Sequence, residues 1–263
     1  MKLNQDTIRK MIKDGDRLDG RDLDEFRDIE VEADYINETA AGSAKVRIGD
    51  TQVVVGISVE AEEPYDDRPD SGTIVTNAEL APMASREYES GPPQEDGVEL
   101  ARVVDRGIRE AEAVDLESLC IESGEKVMTL FIDAHVLNDD GGLIDACSLA
   151  AMIALKTGTL PSYDEETGTL DRDNRERDIP LQEEPITVTG HKINGEIVWD
   201  TSGEEEDAQG ARLTTSINEH GNVVAMQKGE TEPLTQEEIM GIVNQAEEKT
   251  QKLREILHEA AGE

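Results

Sequence analysis

The sequence predicts an α+β fold built from two sheet-and-helix units, and three observations predict it. Strand-like runs come in two blocks, before and after a helix-rich middle. Each block is followed by a helical apolar pattern, "SLAAMIAL" after the first and "TQEEIMGIVNQAEEKTQKLREILHEA" after the second. Between the blocks, residues 161–184 are polar and turn-rich, which marks the boundary between the units. The expected organisation is a helix and lead-in segment over 1–28, a first unit over 29–184 and a second over 185–263.

Each element has a local reason. Residues 4–13 read as a short helix with Ile8, Met11 and Ile12 on one side. "DGDRLDGRDLDEFRDIEVEADY" is a turn-rich approach to a strand. "GSAKVRIGDTQVVVGISVE" is a hairpin: an alternating strand, a "GDT" turn and a return strand whose apolar centre predicts burial on both faces. "SGTIVTNAELAP" reads as another strand, and Pro92 and Pro93 exclude helix from the loop after it. "VELARVVDRGIREAEAVD" is an amphipathic helix with Leu100, Val103, Val104 and Ile108 on its apolar face.

"EKVMTLFIDAHVLN" is a strand, within which His135 is expected to be a satisfied core residue. A turn over Asp139–Gly142 then leads into a helix from about Ile144 to Lys156, with Asp145 at its positive end. In the second unit, one hairpin turns at Asn194–Gly195 and another near His220–Gly221. Thr235 caps the closing helix, and Glu238 completes a capping box.

Composition narrows the setting. The chain has 263 residues, 61 acidic against 25 basic, for a formal net charge of -36. Acidic residues are interspersed with apolar positions, so the chain is read as folded rather than disordered. A carboxylate-covered surface suits molar salt, where self-repulsion is screened within about 3 Å, so a halophilic source is expected. Aromatic residues make up only 3%, so the core must be aliphatic. Cys120 and Cys147 lack metal-site spacing and are expected to be buried thiols. No apolar run approaches the roughly 18 residues of a membrane span, and the first residues lack a signal-peptide core. A cytoplasmic chain with no membrane partner is expected.

Four features could carry chemistry. Arg102, Arg106 and Arg109 project within roughly 60° of one another on one helix. They read either as a clamp for a phosphate backbone or as surface partners of Glu99, Asp105, Glu110 and Glu112. The Gly141–Gly142 turn has the layout of an anion site at a helix N-terminus, yet Leu143, Ile144 and Asp145 follow it. The bland alternative is a tight turn with an acidic helix start. The acidic stretch from Asp200 to Arg212 lacks the ligand order of a calcium loop, so no metal is assigned. The four histidines are scattered and the serines show no nucleophile spacing, so no catalytic residue is assigned.

The segments "DGRDLDEFRDIEVEADY", "GSAKVRIGDTQVVVGISVE", "SREYESGPPQEDGVELARVVDRGIRE" and "DAHVLNDDGGLIDACSLAAMIAL", in that order, resemble the RNase PH family. More narrowly they are similar to the non-catalytic type of archaeal exosome ring subunit. The resemblance implies a ribosomal-protein-S5-domain-2-like unit plus a smaller α+β C-terminal unit. It implies a hexameric ring with a catalytic RNase PH-like partner, RNA-binding cap subunits, and single-stranded RNA shortened 3′ to 5′ by inorganic phosphate at the partner. No cofactor is implied for this chain itself.

In catalytic relatives, the resemblance implies, a small hydroxyl residue and a phosphate-holding arginine follow the double glycine. Here those places hold Leu143 and Ile144. An aspartate of the later strand aligns with Arg212. Both departures imply a chain without its own catalysis. The resemblance also makes Arg102, Arg106 and Arg109 RNA contacts at the partner's active centre, with Arg106 and Arg109 foremost. Two other readings stay open: an active phosphorolytic enzyme using Asp200 or Arg212, and a halophilic scaffold or ligand-binding protein without RNA contact.

Overall fold

Residues Asp145 to Leu155 are buried without interruption, and this apolar helix is the axle of the fold. A helix that is hydrophobic all round must be covered on every side. The computed structural model describes residues 4–164 and 166–263 and shows what covers it. The helix is α3 (Leu143–Thr157), one residue longer at each end than its pattern suggests.

On one side of α3 lies a sheet in the order β1-β2-β3-β6-β4, with β5 also paired to β6. Its strands are β1 (Ile29–Ala33), β2 (Gly42–Ile48), β3 (Thr51–Glu62), β4 (Thr73–Leu80), β5 (Cys120–Glu122) and β6 (Lys126–Asn138). Among the described residues only β4 pairs with its neighbour in parallel, which requires the crossover made by α2 (Glu95–Glu110). The hairpin β2–β3 turns at Gly49, whose φ of 58° is left-handed, and Val53, Val54 and Val55 at its centre are all buried. Helix α2 packs on β4 and α3, and the four expected residues Leu100, Val103, Val104 and Ile108 are all buried, with Leu100, Val104 and Ile108 joining the main core.

On the other side lies a second sheet, β10-β9-β11-β12, which α5 (Gln236–Ala261) covers. Its strands are β9 (Ile186–Ile193), β10 (Glu196–Trp199), β11 (Ala211–Ile217) and β12 (Val223–Gly229). The β9–β10 turn uses left-handed Asn194 (φ 52°) and Gly195 (φ 91°), as its sequence requires. The Thr235–Glu238 capping box forms at the start of α5. Helix α1 (Gln5–Lys13) packs Ile8 and Ile12 against Ile193, Val198 and Ala208. The lead-in segment, described from residue 4, is thus anchored on the second unit.

Two expectations need correction. The polar stretch 161–184 is largely a two-stranded hairpin, β7 (Thr159–Asp164) with β8 (Thr169–Asp178). Strand β8 carries charges on exposed positions, and β7 buries the adjacent Leu160 and Pro161, so no apolar alternation announced them. His135 is no core residue: its side chain is 53% exposed and faces Glu79 at 3.2 Å. Strand alternation turns Ile132, Ala134 and Val136 inward and His135 outward.

Candidate functional site

The glycine turn closes β6 onto α3, and both glycines are left-handed, with φ of 79° at Gly141 and 72° at Gly142. A Cβ on Gly141 would lie 2.5 Å from the Thr201 carbonyl oxygen, so glycine is required there. Thr51 braces the turn: its hydroxyl donates to the Gly141 carbonyl at 2.7 Å and accepts from the Asp140 amide at 3.0 Å. The turn's own donors are occupied. Gly141 N–H donates to Asp139 Oδ1 at 3.0 Å, and Gly142 N–H to Glu206 Oε2 at 3.1 Å. Glu206 comes from the short helix α4 (Gly203–Glu206). A carboxylate of the protein therefore sits where an anion would bind the helix N-terminus.

A cleft of about 560 Å³ opens beside the turn. Leu143 and Ile144 line it, and among the described residues Arg212 is the only arginine or lysine that does. Arg212 is already paired, with Glu99 at 2.6 Å and Glu230 at 3.9 Å. Tyr88, in the loop before α2, donates its hydroxyl to Asp139, and burial together with that carboxylate pushes its pKa up. His191, one of the four scattered histidines to which the sequence assigns no role, is a buried wall of the cleft, paired beside Arg212 on the neighbouring strand.

Asp145 does more than start a helix. It is buried, accepting from the Thr189 amide at 3.0 Å and the Thr189 hydroxyl at 2.7 Å. These bonds tie α3 to β9 across the two units. Burial, with Asp200 and Glu206 nearby, outweighs them and raises its pKa from 3.8 to about 7. The folded chain thus holds a proton that the unfolded chain releases near 3.8. This group's stabilising contribution is full below that value and is lost as pH rises through about 7. Urea midpoints measured between about pH 4 and 7 should fall less steeply for Asp145→Asn than for the parent. Equal slopes would refute this assignment.

The arginine stripe lies outside the cleft. Arg102 is exposed and makes no hydrogen bond or ion pair among the described residues. Arg106 donates to the Gln227 side chain on β12. Arg109 is held by Asp105 at 2.8 Å and by the Ile74 carbonyl at 2.8 Å. Internal pairing is therefore realised for Arg109, whereas Glu99 has gone to Arg212.

A second arginine cluster had no expectation attached. Arg17 is buried and grips Glu205 through two bonds of 3.0 and 2.6 Å. Arg27 wraps Asp200 with its backbone amide at 2.7 Å, Nε at 2.9 Å and Nη2 at 2.6 Å. It also reaches the carbonyls of Asp140 at 2.7 Å and Gly141 at 3.2 Å. Arg21 adds a 3.0 Å contact to Asp200. The acidic stretch after Asp200 thus serves buried arginines. Neither Asp200 nor Arg27 lines the cleft. The available signal was the run of arginines at 17, 21 and 27 in a chain poor in basic residues.

Two α+β units sharing a buried helix, with a glycine turn at their junction, define a ribosomal-protein-S5-domain-2-like unit joined to a smaller C-terminal unit. Residues 25–161 match "3' exoribonuclease family, domain 1" and residues 183–249 match "3' exoribonuclease family, domain 2". The chain belongs to this RNase PH family. It is 49% identical over 255 residues to the exosome complex component Rrp42 of Methanocella arvoryzae, spanning 97% of this chain and 95% of that one. It is 47% identical over 260 residues to the protein of the same name from Thermococcus gammatolerans, spanning 98% and 95%.

Among solved structures it is similar to a chain of the "archaeoglobus fulgidus exosome with RNA bound to the active site", with a TM-score of 0.88, 44% identity and coverage of 95% and 96%. It is also similar to a chain of an "Archaeal exosome core", with a TM-score of 0.85, 40% identity and coverage of 97% and 96%. Among the described residues no helix is long and apolar enough to cross a membrane.

Proposed function

We propose that this chain is a non-catalytic ring subunit of an archaeal exosome. In this reading it alternates with a catalytic RNase PH-like partner in a hexameric ring, a trimer of heterodimers, in the cytoplasm. RNA-binding cap subunits sit on the ring, and single-stranded RNA is shortened from its 3′ end by inorganic phosphate at the partner. The relatives named Rrp42 and the exosome chains it resembles support the assignment. Residues 29–184 and 185–263 are proposed as the two working units, with 1–28 as the lead-in. The acidic surface is proposed as an adaptation to molar salt.

One observation carries the non-catalytic reading: Glu206 occupies the Gly142 amide, and the apolar Leu143 and Ile144 follow it. A phosphate dianion there would meet a carboxylate instead of a guanidinium. The alternative of independent catalysis through Asp200 or Arg212 fits poorly. Both oxygens of Asp200 are bound by Arg27, and Arg212 is neutralised by Glu99. No cofactor is assigned to this chain.

The RNA contacts proposed for it are Arg102, Arg106 and Arg109. Arg102 is exposed and has no partner among the described residues, while the other two must exchange existing bonds for phosphate oxygens. A strand of RNA needs only a local positive patch, so the acidity elsewhere is no obstacle.

The test is an assay of phosphate-dependent RNA shortening with the purified chain, the purified partner and the two mixed. The lone chain is expected to release no nucleoside diphosphate, and the mixture is expected to be active. Turnover by the lone chain would overturn the reading.

A further inference from the structure

The cleft beside the glycine turn has chemistry opposite to that of an anion site. Its turn amides are taken by Asp139 and Glu206 and its tyrosine hydroxyl by Asp139. The charge of Arg212, the one guanidinium among its described lining residues, is met by Glu99 at Nη2, although its buried Nε has no hydrogen-bond partner among the described residues. The groups left facing the space are mainly acceptors, among them the Asp96 and Glu204 carboxylates.

His191 adds an acceptor of another kind. The residue is only 2% exposed, and its Nδ1–H donates to Gln209 Oε1 at 2.7 Å. Nε2 has no hydrogen-bond partner among the described residues, and the ring lines the cleft. Burial holds the imidazole pKa below its ordinary value, so Nε2 presents a lone pair. A ligand that fits must donate hydrogen bonds and carry positive charge.

Geometry selects among cations. A chelated metal needs several ligand atoms converging on one point. Among the described residues, the one group of His, Cys, Asp or Glu that converges so closely is Glu183, Glu219 and His220, outside the cleft. The cleft's carboxylates are distributed instead. Glu99 and Glu230 surround Arg212, while Asp139 and Glu206 hold the glycine turn. Leu80, Leu100, Leu143 and Ile144 supply apolar wall in the same space. Spaced acceptors with an aliphatic wall match ammonium groups separated by methylene chains. The cleft's volume, about 560 Å³, is that of a small-molecule site.

We propose that this cleft binds a linear polyamine of the spermidine class, one ammonium donating to His191 Nε2. The proposal concerns this chain's own cleft and does not depend on assembly into a ring.

The test titrates spermidine into the full chain at the lowest potassium chloride concentration that keeps it folded by circular dichroism. Heats and methyl resonances are followed together. A saturable single site is expected, with shifts at the Leu143 and Ile144 methyls. Ile144→Arg is expected to weaken binding by about tenfold or more, because it sets a like charge in the wall. Asp66→Asn makes the same net-charge change at an exposed position outside the cleft and is expected to weaken binding by less than about twofold. Leu143→Lys replaces Ile144→Arg should the latter fail to fold.

Equal weakening by the cleft and surface variants overturns the proposal, as do graded heats without methyl shifts. Spermidine would then merely join the counterions of a chain with net charge -36. Complete displacement by an equal charge of magnesium also overturns it, because that behaviour belongs to a chelating site.

Discussion

Reversing Arg102, Arg106 and Arg109 together to glutamate is expected to lower the RNA affinity of the assembled complex by about a hundredfold or more. Each arginine offers a planar fork that holds two phosphate oxygens, and each glutamate repels them. In concentrated salt the counterion-release gain shrinks, so affinity rests on these directed bonds. The folded chain gives up little. Arg102 has no partner among the described residues, and the bonds of Arg106 and Arg109 lie on partly exposed surface. Fluorescence anisotropy with a labelled single strand would read the loss, and size-exclusion chromatography would confirm that the variant still assembles. Unaltered affinity in an intact complex would support a scaffold without RNA contact.

Asp200→Ala is expected to destabilise the chain by about 3–5 kcal/mol, since it leaves a buried charge unpaired. Asp200 is 3% exposed, and the Arg27 and Arg21 side chains that grip it are 8% and 11% exposed. Burial works against the Arg27 charge, yet the Asp200 carboxylate, together with Asp140 and Glu206, outweighs it and raises the arginine's pKa. Removing that carboxylate also frees Arg27 from its brace on the Asp140 and Gly141 carbonyls. The lead-in segment and the glycine turn should loosen together. Urea unfolding would measure the loss, and limited proteolysis should cut first between residues 14 and 28. A loss below about 1 kcal/mol would show that the network is solvated, as surface pairs are.

The features legible in the sequence were those with local causes. The β2–β3 hairpin, the apolar face of α2, the Asn194–Gly195 turn and the Thr235–Glu238 capping box each depend on residues a few positions apart. The departure at Leu143 and Ile144 was legible for the same reason. What escaped depends on distant parts of the chain. Arg17 and Glu205 are 188 residues apart in sequence, and Glu206 reaches Gly142 across 64. His191 becomes part of the cleft only because β11 sets it beside Arg212. The β7–β8 ribbon escaped because β8 is charged and mostly exposed, while β7 is short and buries Leu160 and Pro161 side by side rather than in alternation.

Glu206 on the Gly142 amide has an evolutionary consequence. Restoring an arginine after the glycines would create a guanidinium facing a resident carboxylate, with no gain until that tenant is also evicted. Several substitutions would have to arrive together, each useless alone. On the non-catalytic reading proposed above, the state is ratcheted, and a lineage that has taken this step is committed to its neighbour's chemistry.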